Sequence, residues 1–155
     1  MASVVSRIVE VCAFRFVQDH SEYLLLKRSQ DDKIHPGIWQ IVTGTVDEGE
    51  KALHAALREF TEETGLISRR FWIVPYINSF YDRHRDVVNM IPFFAAQIEV
   101  GGEPKLSAEH STYEWLSYEQ ARRRLVWPGQ RKGLEIVEQY IVGGQEAACL
   151  TSIPL

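Results

Sequence analysis

The order of apolar and polar residues along the chain predicts mainly β-strands. Two apolar runs, Arg7–Val17 and Glu22–Arg28, are separated by the polar segment Gln18–Ser21. This arrangement is typical of a β-hairpin. The segment Asp31–Gly37 ends in Pro-Gly and is predicted to be a loop. Further strands are predicted at residues 39–42, 71–80, 87–100 and 112–116.

The period of the apolar residues changes to that of a helix over Lys51–Thr64. Gly65 follows directly, as expected where a helix ends in a left-handed turn. The sequence therefore predicts a central helix with one apolar face. The residues that form this face are Leu53, Ala56, Leu57 and Phe60.

Two more helices are predicted towards the C-terminus. Ser117 is followed three residues later by Gln120, which is the pattern of a capping box at a helix start. A last helix is expected over about Gly133–Val142. Many strands with one central helix and two later ones favour an α/β (α+β) fold, in which helices pack on a mixed sheet.

Length and composition indicate one globular domain. The chain has 155 residues, of which 45% are apolar and 25% charged, and both shares are ordinary for globular proteins. Such a chain is long enough to bury a core without disulfides. We expect a single domain spanning 1–155, with its core at about 5–142, and we predict no element for the tail, 143–155.

The charge balance and the cysteines limit which binding partners and which cellular compartment we expect. With 21 acidic and 17 basic residues, nothing favours binding to a nucleic acid polymer or to a membrane. Cys12 and Cys149 lie far apart, which favours a reducing compartment. Arg7, Glu10 and Arg15 exclude a signal-peptide block near the N-terminus, and no apolar run has membrane-spanning length. We expect a cytoplasmic protein.

The predicted central helix carries a group of carboxylates. Glu59, Glu62 and Glu63 are related by three and four positions and therefore share one helix face. Such carboxylates repel one another, and a bound hard cation removes the conflict. Mg²⁺ is the expected ion, with Mn²⁺ able to substitute, because both prefer carboxylate oxygens and water. Arg58 is placed to pair with Glu62 one turn on.

Glutamate-rich helix faces are usually just solvated, but the wider spacing favours a metal site. The segment Gly44–Leu66 reads GTVDEGEKALHAALREFTEETGL. It resembles the Nudix box, G-x5-E-x7-R-E-U-x-E-E-x-G-U, where U is a bulky apolar residue. Every charged and glycine position of the pattern matches. Phe60 stands where an aliphatic residue is usual, and it fills the same core-facing position.

The resemblance implies a Nudix-type α/β/α sandwich with a mixed central sheet and a loop–helix–loop made by the box. It also implies Mg²⁺-dependent hydrolysis of a phosphoanhydride bond in a nucleoside diphosphate linked to a further group X. Gly44 would form the tight turn that leads into the box. The residues implied for the metal site are Glu59, Glu62, Glu63 and Gly44. Glu62, Glu63 and Arg58 are also implied in catalysis. Glu50 is implied to support the site.

A carboxylate outside the box is the candidate general base or additional ligand. Ser107–His110 precedes the predicted strand Thr112–Leu116, and in several Nudix branches the Glu of a similar loop reaches the metals. Glu109 takes that position here, although an exposed loop acid is the alternative reading. His110 is interpreted as structural.

Substrate contacts are predicted from residues flanking the box. Lys27 and Arg28 end a predicted strand and could contact a phosphate, and Trp39 could stack on a base or be buried beside the sheet. The string WQIVTGTVDEGE resembles the branch of dATP pyrophosphohydrolases and dihydroneopterin triphosphate pyrophosphatases. Tyr81, 16 residues after Gly65, is also compatible with diadenosine polyphosphate hydrolases. Phe80 and Phe93 are candidate pocket walls.

The sequence therefore predicts an enzyme that acts on a small nucleotide. The first candidate reaction converts a (deoxy)nucleoside or pterin triphosphate to the monophosphate and pyrophosphate. A diadenosine polyphosphate hydrolase is the alternative. A non-catalytic nucleotide-binding module of the same fold is the alternative of another class, although such a module usually loses part of the box. A homodimer is possible, but no apolar stripe marks an interface.

Overall fold

The computed structural model describes residues 1–155, which form nine strands and three α-helices followed by two short irregular helices. The strands are β1 (Ser3–Val5), β2 (Ile8–Val17), β3 (His20–Arg28), β4 (Trp39–Gln40), β5 (Val42–Thr45), β6 (Arg70–Asp82), β7 (Val87–Gln97), β8 (His110–Leu116) and β9 (Ser152–Ile153). The helices are α1 (Ala52–Thr64), α2 (Tyr118–Arg124) and α3 (Pro128–Ile136), then a π-helical segment (Val137–Val142) and a 3₁₀ segment (Glu146–Thr151).

All nine strands belong to one mixed sheet. Its main order is β4-β3-β2-β7-β6-β9, while β1 pairs with β7, β5 with β2, and β8 with β3. β7 runs parallel to β2 and β1, and the other pairings are antiparallel. The predicted hairpin is present as β2 and β3, with Val17 opposite His20.

Alternate residues of the central strands pack into two separate hydrophobic cores, one on each face of the sheet. Val11 of β2 packs in the core with Phe60 of α1. Its neighbour Cys12 packs in the opposite core with Leu134 of α3. This alternation follows from the two-residue period of a strand, and it places α1 on one face and α2 and α3 on the other. The expected mixed sheet between helices is confirmed.

The central helix begins and ends close to its predicted bounds. Gly65 takes the left-handed conformation, with φ of 65°, and its N–H donates to the carbonyl of Thr61. The buried face of α1 includes Ala55, Ala56 and Phe60, which form the core on that side of the sheet. Glu59 and Glu63 lie beside this face, where Glu59 contacts Thr45 of β5 and Glu63 contacts His110 of β8.

Other elements differ from the sequence prediction at their ends. The strand expected at 39–42 divides at Ile41 into β4 and β5. The last α-helix starts at Pro128 rather than Gly133, because a proline fits the first turn of a helix and begins it before the apolar period does. The tail is folded: β9 pairs with β6, with Ile153 opposite Phe71.

The capping box predicted at Ser117 is present, since its side chain accepts from the N–H of Gln120 and the Gln120 side chain accepts from the N–H of Ser117. No helix in the structure combines the length and the apolar character needed to cross a membrane.

Candidate metal and catalytic site

Gly44 brings the strand β5 against the acidic face of α1. It lies in β5 opposite Val9, so it is a strand residue and not the tight turn that the sequence prediction gave it. Its role is spatial, since a Cβ at this position would lie 2.2 Å from Cγ of Glu59. The Glu59 carboxylate is buried here and accepts from the backbone N–H of Thr45 at 3.0 Å. The close approach of β5 therefore fixes the first carboxylate of the box.

Arg58 connects three glutamates of the box. Its guanidinium donates to both carboxylate oxygens of Glu50, at 2.9 and 2.8 Å. It also donates to Glu59 at 3.1 Å, to Glu62 at 3.2 Å and to the carbonyl of Thr45 at 2.9 Å. The hydrogen bonds from Arg58 lower the pKa of Glu50 to about 2. Glu50, the predicted supporting residue, is thus paired with Arg58.

Glu63 lies at the centre of a second polar cluster, between α1 and the loop that precedes β8. It is buried, with 5% of its surface exposed. Nδ1 of His110 lies 2.8 Å from its Oε2, and the hydroxyl of Ser107 donates to the same oxygen at 3.3 Å. One ligand atom from each of Glu63, Glu109 and His110 falls within a group that spans at most 4.8 Å. The cluster thus joins the box to the predicted Glu109 loop.

The two neighbouring carboxylates of this cluster titrate differently. Burial opposes ionisation of Glu63, but polar contacts with His110 and Glu109 outweigh it, so the pKa of Glu63 is lowered. The hydrogen bond to Glu63 and partial burial raise the pKa of Glu109. Glu109 is therefore the carboxyl that holds a proton more readily, as the chemistry of two adjacent acids requires.

Gln40 orients the imidazole of His110. Nε2 of Gln40 lies 3.2 Å from Nε2 of His110, and both side chains are buried. The imidazole is therefore contacted from two sides, by Gln40 at Nε2 and by Glu63 at Nδ1. His110 was interpreted from the sequence as structural, and its position adds a polar contact to the candidate site.

The residues present fit a divalent cation. Two acidic oxygens are held close together, at the cost of a raised pKa for Glu109, and a cation between them would relieve that repulsion. Oxygen donors of this kind suit Mg²⁺ or Mn²⁺. Glu59 and Glu62 are outside the compact group of three: Glu59 is bound to Thr45 and Arg58, and Glu62 is exposed and held by Arg58. Their ligation of the metal stays a prediction.

The predicted phosphate-binding pair lies beside the Glu109 loop. β3 and β8 shift register between Lys27 and Arg28, and the backbone N–H of Ser29 donates to the carbonyl of Glu109 at 2.9 Å. Lys27 is half-exposed. Arg28 forms an ion pair with Asp32, and its Nε is buried without a partner. The end of β3 thus lies beside the Glu109 loop, where the side chain of Arg28 is engaged by Asp32.

The aromatic candidates lie in different surroundings. The guanidinium of Arg124 lies 4.9 Å from the ring centroid of Trp39, which packs partly against the core and so has one face occupied. Tyr81 is 57% exposed and donates its hydroxyl to Asp86 at the β6–β7 turn. Phe80 is also exposed, whereas Phe93 is buried in the core and does not form a pocket wall as the sequence prediction proposed.

Sequence reasoning missed two residues of the site. Gln40 is 70 positions from His110, and Ser107 is 44 positions from Glu63. Neither belongs to the box, and only the folded chain brings them in. The one available signal was that Ser107 and His110 flank Glu109 in the loop already singled out.

Comparison with known proteins supports the assignment. The protein-family model of the NUDIX domain matches residues 6–136 of this chain. Among curated proteins, an octanoyltransferase of Myxococcus xanthus is 29% identical over 81% of this chain but only 35% of its own length, so this chain spans about a third of that relative. An asymmetrical bis(5'-nucleosyl)-tetraphosphatase of Mus musculus is 36% identical over 64% of this chain and 67% of that protein.

Solved structures show the same fold. An Ap4A hydrolase of C. elegans superposes with a TM-score of 0.76 at 21% identity, covering 90% of this chain and 99% of that one. The dihydroneopterin triphosphate pyrophosphohydrolase of E. coli superposes with a TM-score of 0.62 at 27% identity, covering 88% and 96%. These comparisons confirm the predicted fold and the predicted class of enzyme, a hydrolase. With the domain match extending over most of its length, the chain belongs to the NUDIX family.

Proposed function

We propose that the chain hydrolyses a phosphoanhydride bond of a nucleoside polyphosphate with the help of a divalent cation. The observation that carries the proposal is the buried carboxylate of Glu63, facing Glu109 and His110 within one compact group of ligand atoms. Placing carboxylates side by side away from water costs stability unless a cation or a proton neutralises their charge. It suits the neutralisation of charge on phosphate oxygens, which is the main requirement of phosphoryl transfer.

Each residue of the cluster has a defined task in this reaction. Glu63, with Glu59 and Glu62, would hold Mg²⁺ at the box. When bound, the ion neutralises charge on the phosphate oxygens and makes a nearby water more acidic. Glu109 accepts a proton from the attacking water, and its raised pKa favours that role. Arg58 keeps Glu50, Glu59 and Glu62 in one arrangement.

The first candidate substrate is a (deoxy)nucleoside or pterin triphosphate, cut into a monophosphate and pyrophosphate. The string WQIVTGTVDEGE supports it, and so does the fold and 27% identity shared with the dihydroneopterin triphosphate pyrophosphohydrolase of E. coli. Lys27 and Arg28, next to the Glu109 loop, would contact the phosphates that leave.

A dinucleoside tetraphosphate is the second candidate. The mouse tetraphosphatase, which is 36% identical over 64% of this chain, supports it. Exposed Tyr81 and Phe80 on β6 would be available to a second nucleoside. The two candidates differ in product, because a triphosphate substrate releases pyrophosphate and an asymmetrically cut tetraphosphate releases ATP with AMP.

The test is product analysis with three substrates in parallel, namely dATP, dihydroneopterin triphosphate and diadenosine tetraphosphate, each with Mg²⁺. Wild type should cut at least one of them. Glu63→Gln should keep its fold and lose on the order of a hundredfold or more in rate, because it removes a charged oxygen at the reacting centre.

Glu99→Gln is the matched control, since Glu99 is exposed and paired with Arg69. Equal activity of Glu63→Gln and wild type would remove the site assignment. Saturable binding of these nucleotides with no turnover of any of them would favour a binding module instead.

A further inference from the structure

A basic cleft lies on the outer side of α2 and α3, in the helix layer opposite α1. It is open to solvent and has a volume of about 500 Å³. Apart from the ring of Pro128, every lining side chain is charged: Arg122, Arg123, Arg131, Lys132 and Glu135. None of these residues belongs to the candidate catalytic site.

The positive charge of this cleft is poorly compensated. Four cations face one acid, and Glu135 is already placed against Lys132 at 3.4 Å. Arg122 and Arg123 are exposed and form neither an ion pair nor a side-chain hydrogen bond. In a chain of net charge −4, this is a local excess of positive charge that an anion bound between the arginines would neutralise.

Part of the cleft is already fixed in position. Nε of Arg131 donates to the carbonyl of Leu125 at 2.6 Å, which ties the guanidinium to the α2–α3 connection and leaves its other N–H groups free. On the same helix, Gln130 points the other way and donates to buried Glu10. α3 therefore presents a rigid cationic face, because its opposite face is anchored in the core.

We propose that this cleft is a second, metal-independent site for a polyphosphate group. Guanidinium groups bind phosphate oxygens with two parallel hydrogen bonds, and several at one place match a chain of phosphates better than a single carboxylate. Apart from Pro128, the lining includes no apolar or aromatic side chain. A protein interface would need an apolar centre, and a nucleobase would need a ring to stack on, so the phosphate chain is the part that is recognised.

The source of the polyphosphate is either an inorganic chain, such as released pyrophosphate, or the tail of a nucleotide. Both share the chemistry that the cleft recognises. Binding through phosphates alone predicts that inorganic triphosphate and ATP bind with similar affinity. It also predicts that added salt weakens binding, because the lining side chains are exposed and screened.

The experiment is calorimetric titration of the full chain with inorganic triphosphate and with ATP in EDTA, which keeps divalent ions from the box. Wild type should bind both ligands at one site. The double variant Arg122→Gln/Arg123→Gln should bind at least about tenfold more weakly, as expected for the loss of two charge-assisted contacts. It should keep the wild-type melting temperature and its Mg²⁺-dependent hydrolysis, since both side chains are exposed.

Two controls make the result specific. Arg83→Gln/Arg85→Gln removes the same charge from the exposed β6–β7 turn and should bind as wild type does. Glu63→Gln should also bind normally in EDTA. The proposal is overturned if wild type binds neither ligand, if it binds ATP but not triphosphate, or if the control pair loses as much affinity as the cleft pair. Failure of hydrolysis in all nucleotide assays would count against the proposed function and leave this binding result standing.

Discussion

The Cβ atom that Gly44 lacks would overlap Glu59, at 2.2 Å from its Cγ and 2.4 Å from its Cδ. This contact joins β5 to α1 at the point where the box begins. Glu59 in turn accepts from the N–H of Thr45, the residue after Gly44. The glycine of the motif is therefore required by the space that a carboxylate occupies, and its backbone shows no left-handed conformation.

Gly44→Ala should disturb the site more than the fold. The added methyl forces Glu59 to shift or β5 to separate from α1, at a cost of about 1–3 kcal/mol in the free energy of unfolding. Because Glu59 also contacts Arg58, the arrangement of the box carboxylates changes, and we expect at least about a tenfold loss of rate.

Steady-state rates and thermal melts measure both effects. Gly102→Ala is the control, because its nearest neighbour would lie 3.4 Å from the added Cβ. Unchanged activity in Gly44→Ala would show that Glu59 does not need its present position.

Glu109→Gln separates a general base from a metal ligand. As a base, Glu109 takes up a proton during the reaction, so its replacement should lower kcat by roughly 10²–10⁴-fold with little change in KM. The affinity for Mn²⁺, followed by its paramagnetic resonance signal, should then stay within a few-fold of wild type.

A parallel loss of Mn²⁺ affinity would instead assign Glu109 as an essential ligand. Glu114→Gln, on the neighbouring strand and partly exposed, is the matched control. It should change neither quantity.

Glu50 gives the protein a pH-dependent contribution to stability. Arg58 holds the folded-state pKa of Glu50 at about 2, below its ordinary value of 4.5. For an acid with a lowered pKa, the stabilisation is complete above the ordinary value and is lost as pH falls towards the folded value. Wild type should therefore melt at a higher temperature than Glu50→Gln. This difference should be largest above pH 5 and should shrink as the pH falls from 4.5 to 2.

The comparison of melting curves at pH 6, 4 and 3 checks this. Glu48→Gln, two residues away and exposed, should show no such narrowing. A difference that is constant with pH would mean that the charge of Glu50 is not what stabilises the contact with Arg58.

The sequence predicts what depends on local spacing and misses what depends on tertiary contact. The acidic face of α1 and its end at Gly65 were predictable because helix geometry alone relates the residues. The contact of Gln40 with His110 could not be predicted, since it needs the register of β3 against both β4 and β8. The two-residue strand β9 exists only because β6 offers it a partner, and so small an element leaves no periodic signal.

The polar cluster around Glu10 shows the same limit in the core. Glu10 accepts from Nδ2 of Asn78 and Nε2 of Gln130, each at 2.6 Å, and only 2% of its surface is exposed. Burial raises its pKa, and the two amide hydrogen bonds only partly oppose the shift. Within the sequence it was one charged residue in an apolar run, and nothing local indicated the two amides that satisfy it.

Glu10→Gln should therefore change the pH dependence of stability in the direction opposite to Glu50→Gln. For an acid with a raised folded pKa, the folded state keeps its proton longer than the unfolded state, so stability falls as pH rises from the ordinary value of 4.5 through the folded value. The amide introduced by Glu10→Gln carries no charge and escapes this loss. The new amide can be accommodated if one amide neighbour turns and accepts a hydrogen bond from it, and Oε1 of Gln130 is buried without a partner and available for this.

The melting temperature of Glu10→Gln relative to wild type should therefore rise between pH 4 and 8. Glu10→Ala should instead be destabilised at every pH, by about 2–4 kcal/mol, because it leaves a void and two unpaired amides. If the Glu10→Gln variant tracks wild type in parallel across this range, the Glu10 carboxyl has the same affinity for its proton in the folded and unfolded chains.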